Sequence, residues 1–194
     1  GSDITANGAI AGVTTLTLAS VGGTATLSAD VDVTTLAVDN TVANVAFTGN
    51  GSSVANSFTP ANDGTFIFGA SGGTQTYNGG LNTASVDGTV TLNGSLVTSN
   101  DALTVGAATL GSNTTLTSAG GAIVTGAIIG TSSEDLTITS SGGGTNTVVT
   151  NGTIGASGNI NTIAITGATS VSLGGNISTN DASGNTVTVT GTTI

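Results

Sequence analysis

Residues 102–139 read ALTVGAATLGSNTTLTSAGGAIVTGAIIGTSSEDLTIT. Three short pulses stand in this stretch: Leu103-Thr104-Val105, Leu116-Thr117 and Leu136-Thr137-Ile138. Each alternates a bulky aliphatic with threonine, which sends the aliphatics to one face of a strand and the threonines to the other. Glycine, serine and asparagine separate the pulses, and these residues serve turns and break helices. No window carries the three-to-four residue spacing of an amphipathic helix. The stretch predicts short strands joined by tight turns.

The same theme fills the chain. Leu16-Thr17-Leu18, Ala25-Thr26-Leu27 and Leu36-Ala37-Val38 recur near the start, and Thr147-Val148-Val149, Ile163-Ala164-Ile165, Val171-Ser172-Leu173 and Val187-Thr188-Val189 near the finish. The pulses at Leu116, Leu136, Ile163 and Val187 lie 20, 27 and 24 residues apart. Such a period predicts an all-β parallel β-helix, a β-solenoid of roughly 20–27 residues per coil with two or three strands in each. About eight or nine coils at roughly 4.8 Å would stack to about 40 Å. Five Asn-Gly pairs, at Asn7, Asn50, Asn78, Asn93 and Asn151, favour two-residue hairpins and keep an antiparallel β-sandwich or jelly roll open as the alternative.

The whole chain, 1–194, reads as a single β-rich domain. Residues 1–40 are regular strands and 79–194 regular repeat-like coils. Residues 41–78 contain every aromatic, Phe47, Phe58, Phe66, Phe68 and Tyr77, and the single proline, Pro60. They read as an irregular insertion or cap where aromatic bulk closes the core, with a carbohydrate-stacking platform as the functional alternative.

Composition limits the chemistry. Of 194 residues, 32 are glycine and 40 threonine, and 37% are hydrophobic, a strand-and-turn composition. There is no Lys, Arg, His, Cys, Met or Trp, and ten carboxylates give a net charge of −10. Side chains therefore cannot form salt bridges with one another. Nucleic-acid binding is excluded, because phosphate neutralisation needs Lys or Arg. Disulfides and thiolate metal sites are absent with cysteine. No apolar run approaches the length of a membrane span, so no membrane insertion is expected. No signal peptide is visible, as in a mature form or a segment.

Most catalytic constellations lack parts. A serine nucleophile has no His or Lys base, a P-loop no lysine, and zinc no imidazole. A glycosidase-like carboxylate pair could be drawn from Asp30 and Asp32, two apart, but nothing marks a raised pKa in a cleft. The expectation is no enzyme. Hard oxygen ligands suit Ca²⁺, and Asp30 with Asp32, Asn100 with Asp101, Glu134 with Asp135, and Asn180 with Asp181 are the candidate clusters. Calcium is an option, with no cofactor required. Asn-x-Ser/Thr sequons at Asn50, Asn93, Asn113, Asn151 and Asn176 would mark solvent-facing turns if modified.

Gly73-Thr-Gln-Thr-Tyr-Asn-Gly79, Val90-Thr-Leu-Asn-Gly94, residues 114–123 (TTLTSAGGAI) and residues 135–143 (DLTITSSGG) resemble the β-strand repeats of giant bacterial surface proteins, the filamentous-haemagglutinin-like adhesins and autotransporter passengers. The resemblance covers 73–191 and, loosely, 1–40. The segment from Phe47 to Phe68 departs from it. It implies a right-handed parallel β-helix outside a cell or on its surface, with adhesive or scaffolding duty, and brings no catalytic residue with it. The strand-like run at 186–194 carries no polar cap, and an uncapped solenoid offers open strand edges to another copy. The expectation is a structural extracellular protein that self-associates into a filament, sheath or surface layer. The alternative is an adhesin passenger that binds glycan or a host surface.

Overall fold

The computed structural model describes residues 1–143, 146–156, 159–180 and 182–193. Every strand pairing in it is parallel, and the strands stack as a β-solenoid of about nine turns. Three ladders run along the stack. The first contains β1 (Ile4–Ala6), β3 (Thr24–Leu27), β5 (Asn44–Phe47), β7 (Phe66–Phe68), the opening residues of β10 (Val90–Thr98) and β12 (Ala108–Ser118), and β14 (Ile128–Ile129). The second contains β2 (Ile10–Leu18), β4 (Val31–Val38), β6 (Ser53–Val54), β8 (Thr74–Tyr77), the later residues of β10 and β12, then β15 (Glu134–Ser140), β17 (Ile160–Leu173) and β18 (Val187–Thr193). The third is built from β9 (Leu81–Asn82), β11 (Leu103–Val105), β13 (Ile123–Thr125), β16 (Thr147–Thr150) and the end of β17.

One column shows the repeat. Ile4, Ala25, Val45, Phe66, Val90, Ala108, Ile128, Ile154 and Ile177 are successive register partners. Their spacing runs from 18 to 26 residues, so the loops absorb length variation while the rungs stay aligned. Leu136, Ile163 and Val187, three of the pulses that set the predicted period, are literal rung partners. Leu116 stacks two residues further along, on Ile138.

The antiparallel alternative fails for a backbone reason. A type I′ hairpin needs positive φ at both central residues, and none of the five Asn-Gly asparagines has it. Asn7, Asn50, Asn78 and Asn151 lie at corners between strands, and Asn93 lies inside β10. At Gly94 (φ 68°) the register of β10 against β12 shifts, which lets one strand leave the first ladder and enter the second. A Cβ on Gly94 would also sit 2.4 Å from the carbonyl oxygen of Gly73 in the coil before.

The interior is a pile of aliphatics. Leu92, Leu96, Leu103, Leu110, Leu116, Ile123, Ile138 and Ile163 are fully buried, each worth about 1.5–3 kcal/mol of transfer free energy. The irregularity of residues 41–78 is one of side-chain size and not of topology. Strands β5 to β8 pair in register with the coils on both sides, and the aromatic rings meet at the centre. Phe66 stacks on Phe68 at 4.1 Å, Phe58 on Tyr77 at 5.8 Å, and Phe58 meets Phe66 edge-on at 6.0 Å. Burial pushes the Tyr77 hydroxyl well above its ordinary pKa, so it stays a donor and bonds Gln75 Oε1 at 2.8 Å. Gln75 in turn donates to the carbonyls of Phe47 and Gly49.

Phe58→Ala should cost about 3–5 kcal/mol through the cavity left among the rings, read as a fall in the denaturant midpoint. Gly94→Ala should cost about 1–3 kcal/mol or more, because a left-handed residue and a close carbonyl both oppose the added methyl. Equal midpoints for wild type and Gly94→Ala would show that this corner is not tight.

Candidate functional site

Side-chain oxygens in one coil accept backbone N–H groups from the next. Asp3 Oδ1 takes Thr24 N at 2.7 Å, Asp30 Oδ1 takes Gly51 N at 2.8 Å, Asn44 Oδ1 takes Thr65 N at 2.9 Å, and Asn113 Oδ1 takes Asp135 N at 2.9 Å. These bonds span 21 or 22 residues, one coil. They act as clasps that satisfy amides at corners and at the starts of strands. This is why Asp and Asn gather between the pulses.

The candidate calcium residues are spread along the stack. Asp30 precedes β4 and is held by its clasp, while Asp32 lies within β4 on its exposed face. Asn100 and Asp101 share an exposed corner, where Ser99 Oγ reaches Asp101 Oδ2 at 3.4 Å. Glu134 points inward and Asp135 outward on adjacent positions of β15. Asn180 donates to Asn161 Oδ1 at 2.9 Å and accepts from Ala182 N at 3.2 Å. Asp181 lies outside the described residues. Among the described residues no three carboxylates come together around a point that would hold a metal ion.

Among the described residues Glu134 is the one buried carboxylate, 5% exposed. Its Oε2 accepts Thr131 N at 2.8 Å, and its Oε1 accepts Ser132 N at 2.8 Å and Thr131 Oγ1 at 2.7 Å. Burial pushes the carboxyl pKa up. The hydrogen bonds from Ser132, Thr131 and its own amide outweigh that and hold it below the ordinary carboxylate value. The group fastens a tight turn in which Ser133 has φ 70°. It is neither a general acid with raised pKa nor paired with a second carboxylate.

Inward hydroxyls are committed to the frame in the same way. Thr98, Ser118 and Ser140 are consecutive rung partners. Thr98 Oγ1 and Ser118 Oγ both donate to the carbonyl of Asp101, and Ser140 Oγ donates to that of Gly121. Thr125 and Thr150, partners on the third ladder, are buried with no hydrogen bond to their hydroxyls.

All five aromatic rings are 0% exposed, so none can stack on a sugar. Of the two readings of that segment, the core one holds. Two shallow grooves indent the outside. One, beside Ile129, is lined by Thr89, Ala107, Thr109 and Ala127 and has no titratable group; the other, beside Leu81, has Asp101 as its sole carboxylate. Sequon asparagines Asn50, Asn113, Asn151 and Asn176 are exposed, whereas Asn93 is half-buried with its amide 3.4 Å from the carbonyl of Phe68. No helix among the described residues is long and apolar enough to cross a membrane. Compared with family models, curated proteins and solved structures, the chain matches none.

Asp30→Asn should leave stability nearly unchanged, since its Oδ1 still accepts the Gly51 amide, while Asp30→Ala should cost about 0.5–1.5 kcal/mol. A calcium role would instead make the Asn variant lose whatever thermal shift Ca²⁺ gives the wild type. For Glu134 the folded pKa lies below the unfolded one. Its contribution is therefore complete above the unfolded value, about 4.3, and is lost as pH falls through the folded value. Urea titrations of wild type and Glu134→Gln should differ by about 1.5–3 kcal/mol at pH 7 and converge as pH falls through the folded-state value.

Proposed function

We propose that the chain is a non-catalytic structural unit that stacks end to end with copies of itself into an extracellular filament, sheath or surface layer. The observation that carries this reading is the unbroken parallel register, in which each coil is the template for the next. At one end β1 and β2 pair only with β3 and β4, and at the other β18 pairs only with β17 among the described residues. Apolar side chains stand out at both: Ile4 is 43% and Val13 42% exposed, against 43% for Val187 and 41% for Leu173. Rungs of this kind present backbone groups and apolar side chains on which a further coil can pair. Parallel strands and a shared coil outline make that contact heterologous, first coil on last coil, which propagates as a rod.

Asp3, Asp30 and Glu134 support the same reading, because they serve clasps and a turn. Resemblance to surface-protein repeats and the lack of any Lys or Arg for trypsin-like cleavage support an exposed setting. The adhesin alternative drew on aromatic rings at the surface, and those rings are inside.

Sedimentation velocity and negative-stain microscopy over a concentration series should show linear polymers. Val13→Lys and Val187→Lys, which place a charge on opposite edges, should each shorten them. A monodisperse monomer at the highest concentration would overturn self-assembly.

A further inference from the structure

The outer face of the second ladder differs from the other two. Residues between the buried ones point outward and line up in files from coil to coil. One file runs Thr74, Ser95, Thr115, Thr137, Ala164 and Thr188. Two residues along each strand, the next runs Thr76, Val97, Thr117, Thr139, Thr166 and Thr190. Nine of these twelve positions are threonine and none is charged. All of them reach the surface. On the first ladder the outward file through Thr91 and Thr109 is interrupted by Ile67 and Ile129, and on the third Val124 and Val149 break the pattern.

The hydroxyls of the two files are uncommitted. Inward Thr98, Thr114 and Ser118 all bond backbone carbonyls. The nine outward threonines bond no other described residue through their side chains. Stacking fixes their repeat at about 4.8 Å between rungs and about 6.6 Å along a strand. A β-branched side chain on a strand is also stiff about χ1. The result, over the six later coils, is a stiff, neutral grid of methyl and hydroxyl groups.

Such a grid matches an ordered water lattice. Its two repeats are comparable to those of the oxygens on a prism face of ice. Each hydroxyl can replace a lattice water as donor and acceptor, and each methyl can sit in the open cage beside it. Order already present in the protein lowers the entropy lost on contact. Neutrality is required, because a charged side chain holds its own hydration shell against such a surface. Two carboxylates mark the margin of the grid: Asp135, two residues before Thr137, and Asp32, which continues the second file beyond Thr76 through Ser53.

We infer that the outward face of the second ladder, centred on Thr115, Thr117, Thr137 and Thr139, binds the surface of ice. The face runs along the stack and leaves the open edges free, so binding there is independent of end-to-end assembly.

The chain contains no lysine, so a fluorophore aimed at primary amines marks Gly1 alone. The labelled full chain should be incorporated into a slowly grown ice hemisphere and should suppress recrystallisation. Thr117→Lys and Thr139→Lys should each lower incorporation about tenfold or more, while Thr109→Lys on the first ladder should leave it unchanged. Melting temperatures within a few degrees of wild type would show that the variants are folded. Exclusion of the wild type from the ice, as for an ordinary solute, overturns the inference whatever the variants do. So does equal incorporation of wild type and the two second-ladder variants, or an equal loss in Thr109→Lys.

Discussion

Parallel rungs held in register by backbone hydrogen bonds are the constraint from which the rest of this molecule follows. Each strand hands its amides and carbonyls to the coils before and after it, so the side chain at a given position lies over its counterpart one coil away. Identical or similar aliphatics then pile without voids, as in Leu96, Leu116, Ile138 and Ile165. Piling of this kind needs no opposite charges. A chain whose only ionic side chains are carboxylates can therefore hold a core together. The same register would turn each inward carboxylate into a column of like charge if it recurred. Among the described residues only Glu134 enters the wall, and four donors surround it: the amide and hydroxyl of Thr131, the amide of Ser132 and its own amide.

Polar residues divide by direction. Inward Thr98, Ser118 and Ser140 and the corner amides complete hydrogen bonds that the ladders leave open at the turns, while the outward threonines of the two second-ladder files bond no other described residue through their side chains. Burying a donor or acceptor without a partner costs more than the bond itself returns, so the inside tolerates polar groups where a corner carbonyl is near. Gln75 is the extreme case. It sits among rings, yet both ends of its amide are answered, by Tyr77 on one side and by two carbonyls on the other.

The parallel coil was legible in the alternation of aliphatic and threonine and in the loose period, because both are direct images of the ladder. Asn-Gly misled, since the dipeptide reports a small residue at a tight place and not the direction in which the chain leaves it. The aromatic segment looked foreign because ring size masks the rung pattern. Val45, Phe66 and Val90 occupy one column, which pairing reveals and hydrophobicity alone does not. The carboxylates were the least readable. Whether Asp30 binds a cation or an amide depends on what the next coil brings beside it, and Gly51 is 21 residues away. The outward files were likewise hidden, because the residues that share a file are a full coil apart.

One corner of the later coils is a seam of glycine. Gly106, Gly126, Gly152 and Gly175 succeed one another there, and a Cβ on Gly126, Gly152 or Gly175 would come within 2.9 Å of backbone in the coil before. The seam joins the third ladder to the first by three or four residues each time, from Val105 to Ala108, Thr125 to Ile128, Thr150 to Ile154 and Leu173 to Ile177. It is a close corner of the winding: its length changes by a single residue, between Thr125–Ile128 and Thr150–Ile154, while the rungs on both sides stay in register. The corner between the second ladder and the third takes more variation, five residues from Ser118 to Ile123 against eight from Ser140 to Val148, so the molecule has an edge that counts and one that can be decorated. Grafted loops belong on the latter.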